Sequence, residues 1–241
     1  MSSPTAIIIG ASSGIGAELA HQLAAKGYRL GIAARRKELL DQHAAKLPQV
    51  KCVRRMDISQ PEEALKVFGE MLQELGEVDA IYLVSGLGHL NPELRWDYEA
   101  ETIRVNALGF AALAGSAWKF FLKQGRGHLI GITSVAAVRA AATTPAYGSS
   151  KIFCSHYLQA LRLRAIKSRL PIHVTEIRPG FVDTAMGRHD RAFWVAPVPV
   201  AVRQILRAVE RKKRVAYVTR RWYFVAGLFR LLPEWLLARL T

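Results

Sequence analysis

Short apolar runs alternate with longer stretches of helical period along most of the 241-residue chain. The runs are TAIIIG (5–10), YRLGIAA (28–34), VKCVRRMDI (50–58), DAIYLVSG (79–86), GHLIGITS (127–134), PIHVTEIRPG (171–180) and RVAYVT (214–219). They are rich in β-branched residues and bounded by turn formers, which marks buried strands. Between them the pattern predicts helices near 14–26, 36–46 and 97–123, around Tyr147, and near 198–211. One more opens at SQPEEALKVF, with Ser59 as its expected cap and Pro61 in its first turn. Repeated strand–helix alternation predicts an α/β fold, a doubly wound parallel sheet with helices on both faces. Nothing breaks the pattern before residue 220. One domain is expected over 1–219, followed by an apolar helical tail over 220–241.

Ligands in such a sheet bind beyond the carboxyl ends of the strands, where strand order reverses. The first strand ends in GASSGIG, with glycines at 10, 14 and 16. A Gly-rich turn between strand and helix lets the backbone approach a pyrophosphate and aims helix N–H groups at it. Gly10, Ser12, Ser13, Gly14, Ile15 and Gly16 are therefore expected to hold a dinucleotide. The spacing lacks the Lys-Ser/Thr of a nucleoside triphosphatase loop. The second strand ends in AARRK. Where a site preferring NAD places an acid for the ribose 2′-hydroxyl, this chain has Ala34, then Arg35 and Arg36. A guanidinium grips a 2′-phosphate that a carboxylate would repel. NADP(H) is the expected cofactor.

AYGSSK (146–151) sets Tyr147 and Lys151 one helical turn apart. Such neighbours also occur on ordinary helix surfaces. A phenol donates a proton, however, and a fixed cation beside it favours the ionised form that acid–base work requires. Ser149 and Ser150 need no role beyond that of small helix-face residues.

With GASSGIG, MDI, VNALG, ITS and RPGFVDT in order over residues 5–184, YGSSK makes the chain resemble the short-chain dehydrogenase/reductase family. The resemblance implies a Rossmann-type fold and interconversion of a ketone with a secondary alcohol. It implies a catalytic set of Asn106, Ser134, Tyr147 and Lys151. Tyr147 would supply the proton, Ser134 would hydrogen-bond the substrate oxygen, and Asn106 would hold a water linking Lys151 to solvent. Asp57 and Ile58 would border the adenine, Gly86 would lie in the cofactor pocket, and Lys151 would reach the nicotinamide ribose. Pro179, Gly180, Val182 and Thr184 would line the nicotinamide and its phosphates. Two departures stand out. Ile9 replaces a Thr, and Leu83-Val84-Ser85-Gly86 replaces Asn-Asn-Ala-Gly, so an apolar contact is expected where the family ties its first and fourth strands by polar groups. Phe193 and Trp194, in the place of the family's substrate loop, either form an apolar wall or pack against the core, and an alcohol or ketone of apolar or lipid-like character is the expected substrate. The family's equivalents of the helices near 103–123 and 148–167 form a subunit interface, implying a homodimer or homotetramer. The rival is a non-catalytic NADP-binding regulator on the same fold, against which the complete catalytic set speaks.

The formal charge of +15 suits anionic partners. RKKR (211–214) comes without a nucleic-acid motif, so no specific nucleic acid is expected. Cys52 and Cys154 alone build neither a disulfide framework nor a four-cysteine zinc site, and the histidines show no metal spacing, so no metal is expected. His89 and His189 are read as surface loop residues. The opening MSSPTAIIIG lacks a basic n-region, and with two cysteines it points to the reducing cytoplasm. Residues 201–241 carry ten Lys/Arg against two Asp/Glu. The tail's apolar run, Trp222 to Phe229, is far shorter than the ~20 residues that span a bilayer. On a helix, Phe224, Leu228, Leu231 and Val225, Phe229, Leu232 cover a broad apolar face, and Pro233 ends it. Two readings stand side by side: peripheral attachment to an anionic membrane, or a helix pair packed on the domain or a second subunit.

Overall fold

The strands β1 (Thr5–Ile9), β2 (Arg29–Ala34), β3 (Val50–Arg55), β4 (Ala80–Leu83), β5 (Gly127–Ile132), β6 (Ile172–Pro179) and β7 (Val215–Val218) follow the apolar runs of the sequence. They form one sheet in the order β3-β2-β1-β4-β5-β6-β7, and every pairing is parallel. The computed structural model describes residues 3–186 and 194–240. The helices are α1 (Gly14–Ala25), α2 (Lys37–Lys46), α3 (Pro61–Leu75), α4 (Trp96–Ile103), α5 (Phe110–Gln124), α6 (Pro145–Ser168), α7 (Val198–Glu210), α8 (Trp222–Leu231) and α9 (Glu234–Leu240). Strand order turns back between β1 and β4, which places the ligand-binding crevice at their carboxyl ends.

Side chains alternate across a strand, so one run feeds two cores. Ile7 and Ile9 pack with Phe68 of α3, Leu113 and Phe121 of α5 and Leu158 of α6. Ile8 faces the other way, toward Leu19 and Leu23 of α1 and Ile205 of α7. Burial on both faces is why the strands read as nearly unbroken apolar runs rather than strict alternations.

The helix expected over 97–123 is present as α4 and α5 joined by a π-helical turn, Arg104–Gly109. By length and composition this stretch could cross a bilayer. Its Leu113, Ala114, Ala117 and Phe121 are instead buried on the sheet. Ser59 is not the cap of α3. Its backbone N–H donates to Asp57 Oδ1 at 2.9 Å, and this turn leaves Gln60 at the N-cap before Pro61. At the two departures, Ile9 and Leu83 are register partners buried in the same core, and the N–H groups of Val84 and Ser85 both donate to the Ile9 carbonyl, at 2.9 and 3.0 Å. Apolar packing and backbone hydrogen bonds thus join β1 to β4. In the tail, Trp222 and Ala226 are buried, and Arg139 Nη2 donates to the Leu232 carbonyl at 3.0 Å.

Candidate active site

The turn from β1 into α1 carries Gly10, Ser12, Ser13, Gly14, Ile15 and Gly16 to the crevice. Ser13 is the N-cap of α1 but makes no capping bond with its side chain, so the first-turn amides keep their donors for a ligand. Its hydroxyl accepts from Arg36 Nη2 at 2.7 Å instead, and Ser12 Oγ accepts from the same nitrogen at 3.0 Å. Gly14 has φ +55°, and a Cβ there would lie 2.9 Å from Thr184 Cγ2. The segment of Pro179, Gly180, Val182 and Thr184 therefore returns from the end of β6 to close over the turn. Val182 pairs with Ala196 in a short parallel bridge. Asp57 and Ile58 end the β3 side of the groove, Ile58 buried and Asp57 engaged with Ser59.

Arg35 points away from Arg36. Its Nη1 lies 3.5 Å from Glu101 Oε1 on α4, and Glu101 Oε2 lies 3.0 Å from His89 Nε2. The His89 ring stacks on Tyr98 at 4.4 Å. His89 is thus a bound member of a cluster rather than a free surface side chain. His189 and Phe193 lie outside the described residues.

Ser134 follows β5, Tyr147 and Lys151 lie in the first two turns of α6, and Asn106 sits on the π-helical turn. Such turns recur at functional positions because they shift one residue out of the helical register. Asn106 is buried, and its amide clamps the loop after β4. Oδ1 accepts from Leu87 N–H at 2.9 Å, while Nδ2 donates to the Leu87 carbonyl at 2.7 Å and to Ser150 Oγ at 3.0 Å. Ser150 Oγ in turn donates to the Tyr147 carbonyl at 2.8 Å. Ser150 is therefore more than a small helix-face residue: it locks the first turn of α6 to Asn106. The serine-rich spelling of the motif was the only trace of this in the sequence.

The clamped loop carries two glycines whose missing side chains leave room for Lys151, Asn106 and Tyr147. A Cβ on Gly86 would lie 2.9 Å from Lys151 Nζ and 3.3 Å from Asn106 Oδ1. A Cβ on Gly88 would lie 2.6 Å from Tyr147 Cδ2. Lys151, only 5% exposed, has its ammonium 5.6 Å from the centre of the Tyr147 ring. Ser134 Oγ accepts from the Ala136 N–H at 3.0 Å, which leaves its own proton to donate. Cys154, one turn beyond Ser150, gives its thiol proton to the Asn106 carbonyl at 2.9 Å. Burial pushes the Cys154 thiol up to about 11, and burial with a Glu74 hydrogen bond pushes Cys52 up to about 12. Neither thiol is a nucleophile at neutral pH.

Behind the site lies an ion cluster that sequence reasoning missed. Glu176, 0% exposed on β6, accepts from Arg178 Nε at 2.7 Å and Nη2 at 3.2 Å, and from Thr133 Oγ1 at 3.0 Å. Arg178 also donates to Ser155 Oγ at 2.8 Å and to the Tyr217 hydroxyl at 3.0 Å. Thr133 precedes Ser134, Ser155 lies one turn past Lys151, and Pro179 follows Arg178. One buried pair so fastens the three segments that carry Ser134, Lys151 and the 179–184 loop.

At the cleft's outer edge, the Trp222 indole covers Gly180 too closely for any side chain there. Its ring meets Phe181 at 5.4 Å and Trp194 at 6.3 Å, both edge-on, and the Arg221 guanidinium stands 5.0 Å from the Trp194 ring.

Residues 4–193 match the short chain dehydrogenase family. An uncharacterized oxidoreductase of Mycobacterium tuberculosis is 32% identical over 246 residues, covering 98% of this chain and 94% of that protein. The fold is shared with a short-chain dehydrogenase/reductase of Burkholderia phymatum in complex with NAD, at TM-score 0.84 and 18% identity over 94% of this chain and 92% of the other. It is also shared with an alcohol dehydrogenase of Thermococcus sibiricus complexed with 5-hydroxy-NADP, at TM-score 0.77 and 27% identity over 90% and 95%.

Proposed function

Since the chain belongs to the short chain dehydrogenase family, whose members are oxidoreductases of C–OH and C=O groups, we propose that it is an NADP(H)-dependent enzyme that interconverts a ketone and a secondary alcohol. The observation that carries the reading is the buried Lys151 ammonium set between Gly86, Asn106 and the Tyr147 ring, with Ser134 at the end of the neighbouring strand. A regulator that only sensed the nucleotide would have no use for a desolvated cation beside a phenol. The uncapped start of α1, the close approaches at Gly14 and Gly86, and the two arginines beyond β2 fit a dinucleotide phosphate.

The nicotinamide cofactor supplies or accepts the hydride. In reduction, Tyr147 gives its phenolic proton to the substrate oxygen as negative charge builds there. Ser134 donates a hydrogen bond to the same oxygen, since its Oγ accepts from the Ala136 N–H and keeps its own proton to give. The Lys151 ammonium, 5.6 Å from the centre of the Tyr147 ring, brings positive charge to the side of the phenol. Asn106 and Ser150 hold Tyr147 and the loop of Gly86 and Gly88 in register. In the oxidative direction the same groups run the proton the other way.

Cofactor choice rests on this chain's own Ala34, Arg35 and Arg36, since proteins of this fold carry either nicotinamide dinucleotide. The Phe181, Trp194 and Trp222 rings at the cleft favour an apolar substrate. The protein acts as a homo-oligomer in this reading. The deciding experiment is NADPH oxidation with ketones graded from short to long chain, on wild type and Tyr147→Phe. The variant is expected to bind NADPH normally and to lose about 10²–10⁴ in rate. Activity within about tenfold of wild type would remove Tyr147 from the chemistry.

A further inference from the structure

Helix α8 is fastened at both ends to the walls of the proposed cleft. Its first residue, Trp222, lies over Gly180, and the carbonyl of Leu232 just past its end accepts from Arg139 in the segment after Ser134. Trp222 and Ala226 turn inward. The opposite face carries Phe224, Leu228 and Leu231, all exposed, with Phe224 at 77% and Leu231 at 83%; Trp235 of α9 is exposed as well, while Tyr223 sits on the flank, its ring 5.6 Å from that of Tyr217 on β7. Positions 224, 228 and 231 share one side of a helix. Arginines flank this face along the chain: Arg220 and Arg221 precede it, Arg221 with its guanidinium over the Trp194 ring, and Arg239 stands 5.6 Å from the Trp235 ring. Over 220–241 there are four arginines and a single acidic residue, Glu234.

We propose that this face docks on an anionic lipid bilayer, with α8 lying in the plane of the interface. The cleft between Gly180 and Arg139 then opens beside the membrane and receives apolar carbonyl substrates from it. The substrate clause rests on the oxidoreductase reading; the docking does not. Three observations select the occupant. At 10 residues, α8 is too short to span a bilayer, yet its aromatic and leucine side chains match those that sink to the headgroup boundary. The flanking arginines are attracted by anionic headgroups within a Debye length. A second copy seated symmetrically on the same face would set those arginines against their own counterparts, in a chain already carrying +15.

The test uses the full chain, sedimented with phosphatidylcholine vesicles and with vesicles that also contain phosphatidylglycerol. Retention is expected on the anionic vesicles and at least about tenfold less on neutral ones or in high salt. Phe224→Glu with Leu228→Glu alters exposed positions only. It is expected to abolish retention while keeping the melting temperature and NADPH oxidation with a water-soluble ketone. If the double variant fails to fold, Leu231→Glu alone gives the same readout. Wild type that stays in the supernatant, or a folded variant that still sediments with vesicles, overturns the proposal. So does a fall in oligomer size in the variant, which assigns the face to a second copy. Vesicle binding without any ketone reduction leaves the docking standing and overturns the enzymatic reading instead.

Discussion

Arg35 and Arg36 are chain neighbours held by different partners. Arg36 reaches back to Ser12 and Ser13 of the Gly-rich turn, while Arg35 reaches across to Glu101 on α4. In the NADP(H) reading proposed above, these two guanidinium groups are the ones that would meet the 2′-phosphate. A 2′-phosphate there would draw Arg35 from an exposed ion pair, and such pairs are worth little. It would gain charge-assisted hydrogen bonds in return. Arg35→Ala with Arg36→Ala is therefore expected to raise the Kd for NADPH by about ten- to hundredfold, with little change for NADH. Adding Ala34→Asp should turn the preference toward NADH. Equilibrium titration of both cofactors decides it, and wild type that binds NADH as tightly as NADPH would refute the assignment.

Several elements around the cleft are joined through the Glu176–Arg178 pair. It links β6 to the end of β5 through Thr133, to α6 through Ser155, and to β7 through Tyr217. Removing one partner of a buried pair leaves an uncompensated charge and costs about 3–5 kcal/mol, whereas replacing both by apolar groups is often neutral. Arg178→Met is expected to lower stability by about that amount, because Glu176 would keep the Thr133 hydrogen bond but, for a cation, only Arg162 at 3.7 Å among the described residues. Arg178→Met with Glu176→Leu should recover most of the loss in denaturant unfolding. Its kcat should stay depressed with NADPH affinity little changed, since the alignment of Ser134 against α6 is gone. Full recovery of kcat in the double variant would reduce the cluster to a stability device.

The whole molecule exposes a second apolar surface, far from the tail in sequence. Leu108 beside α5 and Ile152, Phe153, Leu163 and Ile166 on α6 face outward. Patches of this kind mark association sites, and the family resemblance implies a second copy there. Sedimentation in high salt is expected to give a dimer or tetramer, and Phe153→Glu should shift it toward monomer. A wild-type monomer under the same conditions would count against the oligomer.

Much of this architecture is local and so was legible in the sequence. A strand needs period-two or continuous apolar residues and a helix needs a period near 3.6. Those demands fall on neighbouring positions, so the β–α order could be read off directly. GASSGIG and AYGSSK were legible for the same reason, since a phosphate turn and an i,i+4 pair are complete within a few residues. Ser59 failed as a cap because a competing turn at Asp57 took its amide, a contest that residue preferences alone do not resolve. The remaining features join residues far apart in the chain. Asn106 meets Leu87 and Ser150, Arg35 meets Glu101, Thr184 closes on Gly14, and Trp222 covers Gly180. Even Glu176 and Arg178, plainly on one side of a strand, gave no hint of Thr133, Ser155 or Tyr217 as partners. Such contacts depend on strand order and on how each helix is rotated over the sheet, and only the packing of two cores at once sets those.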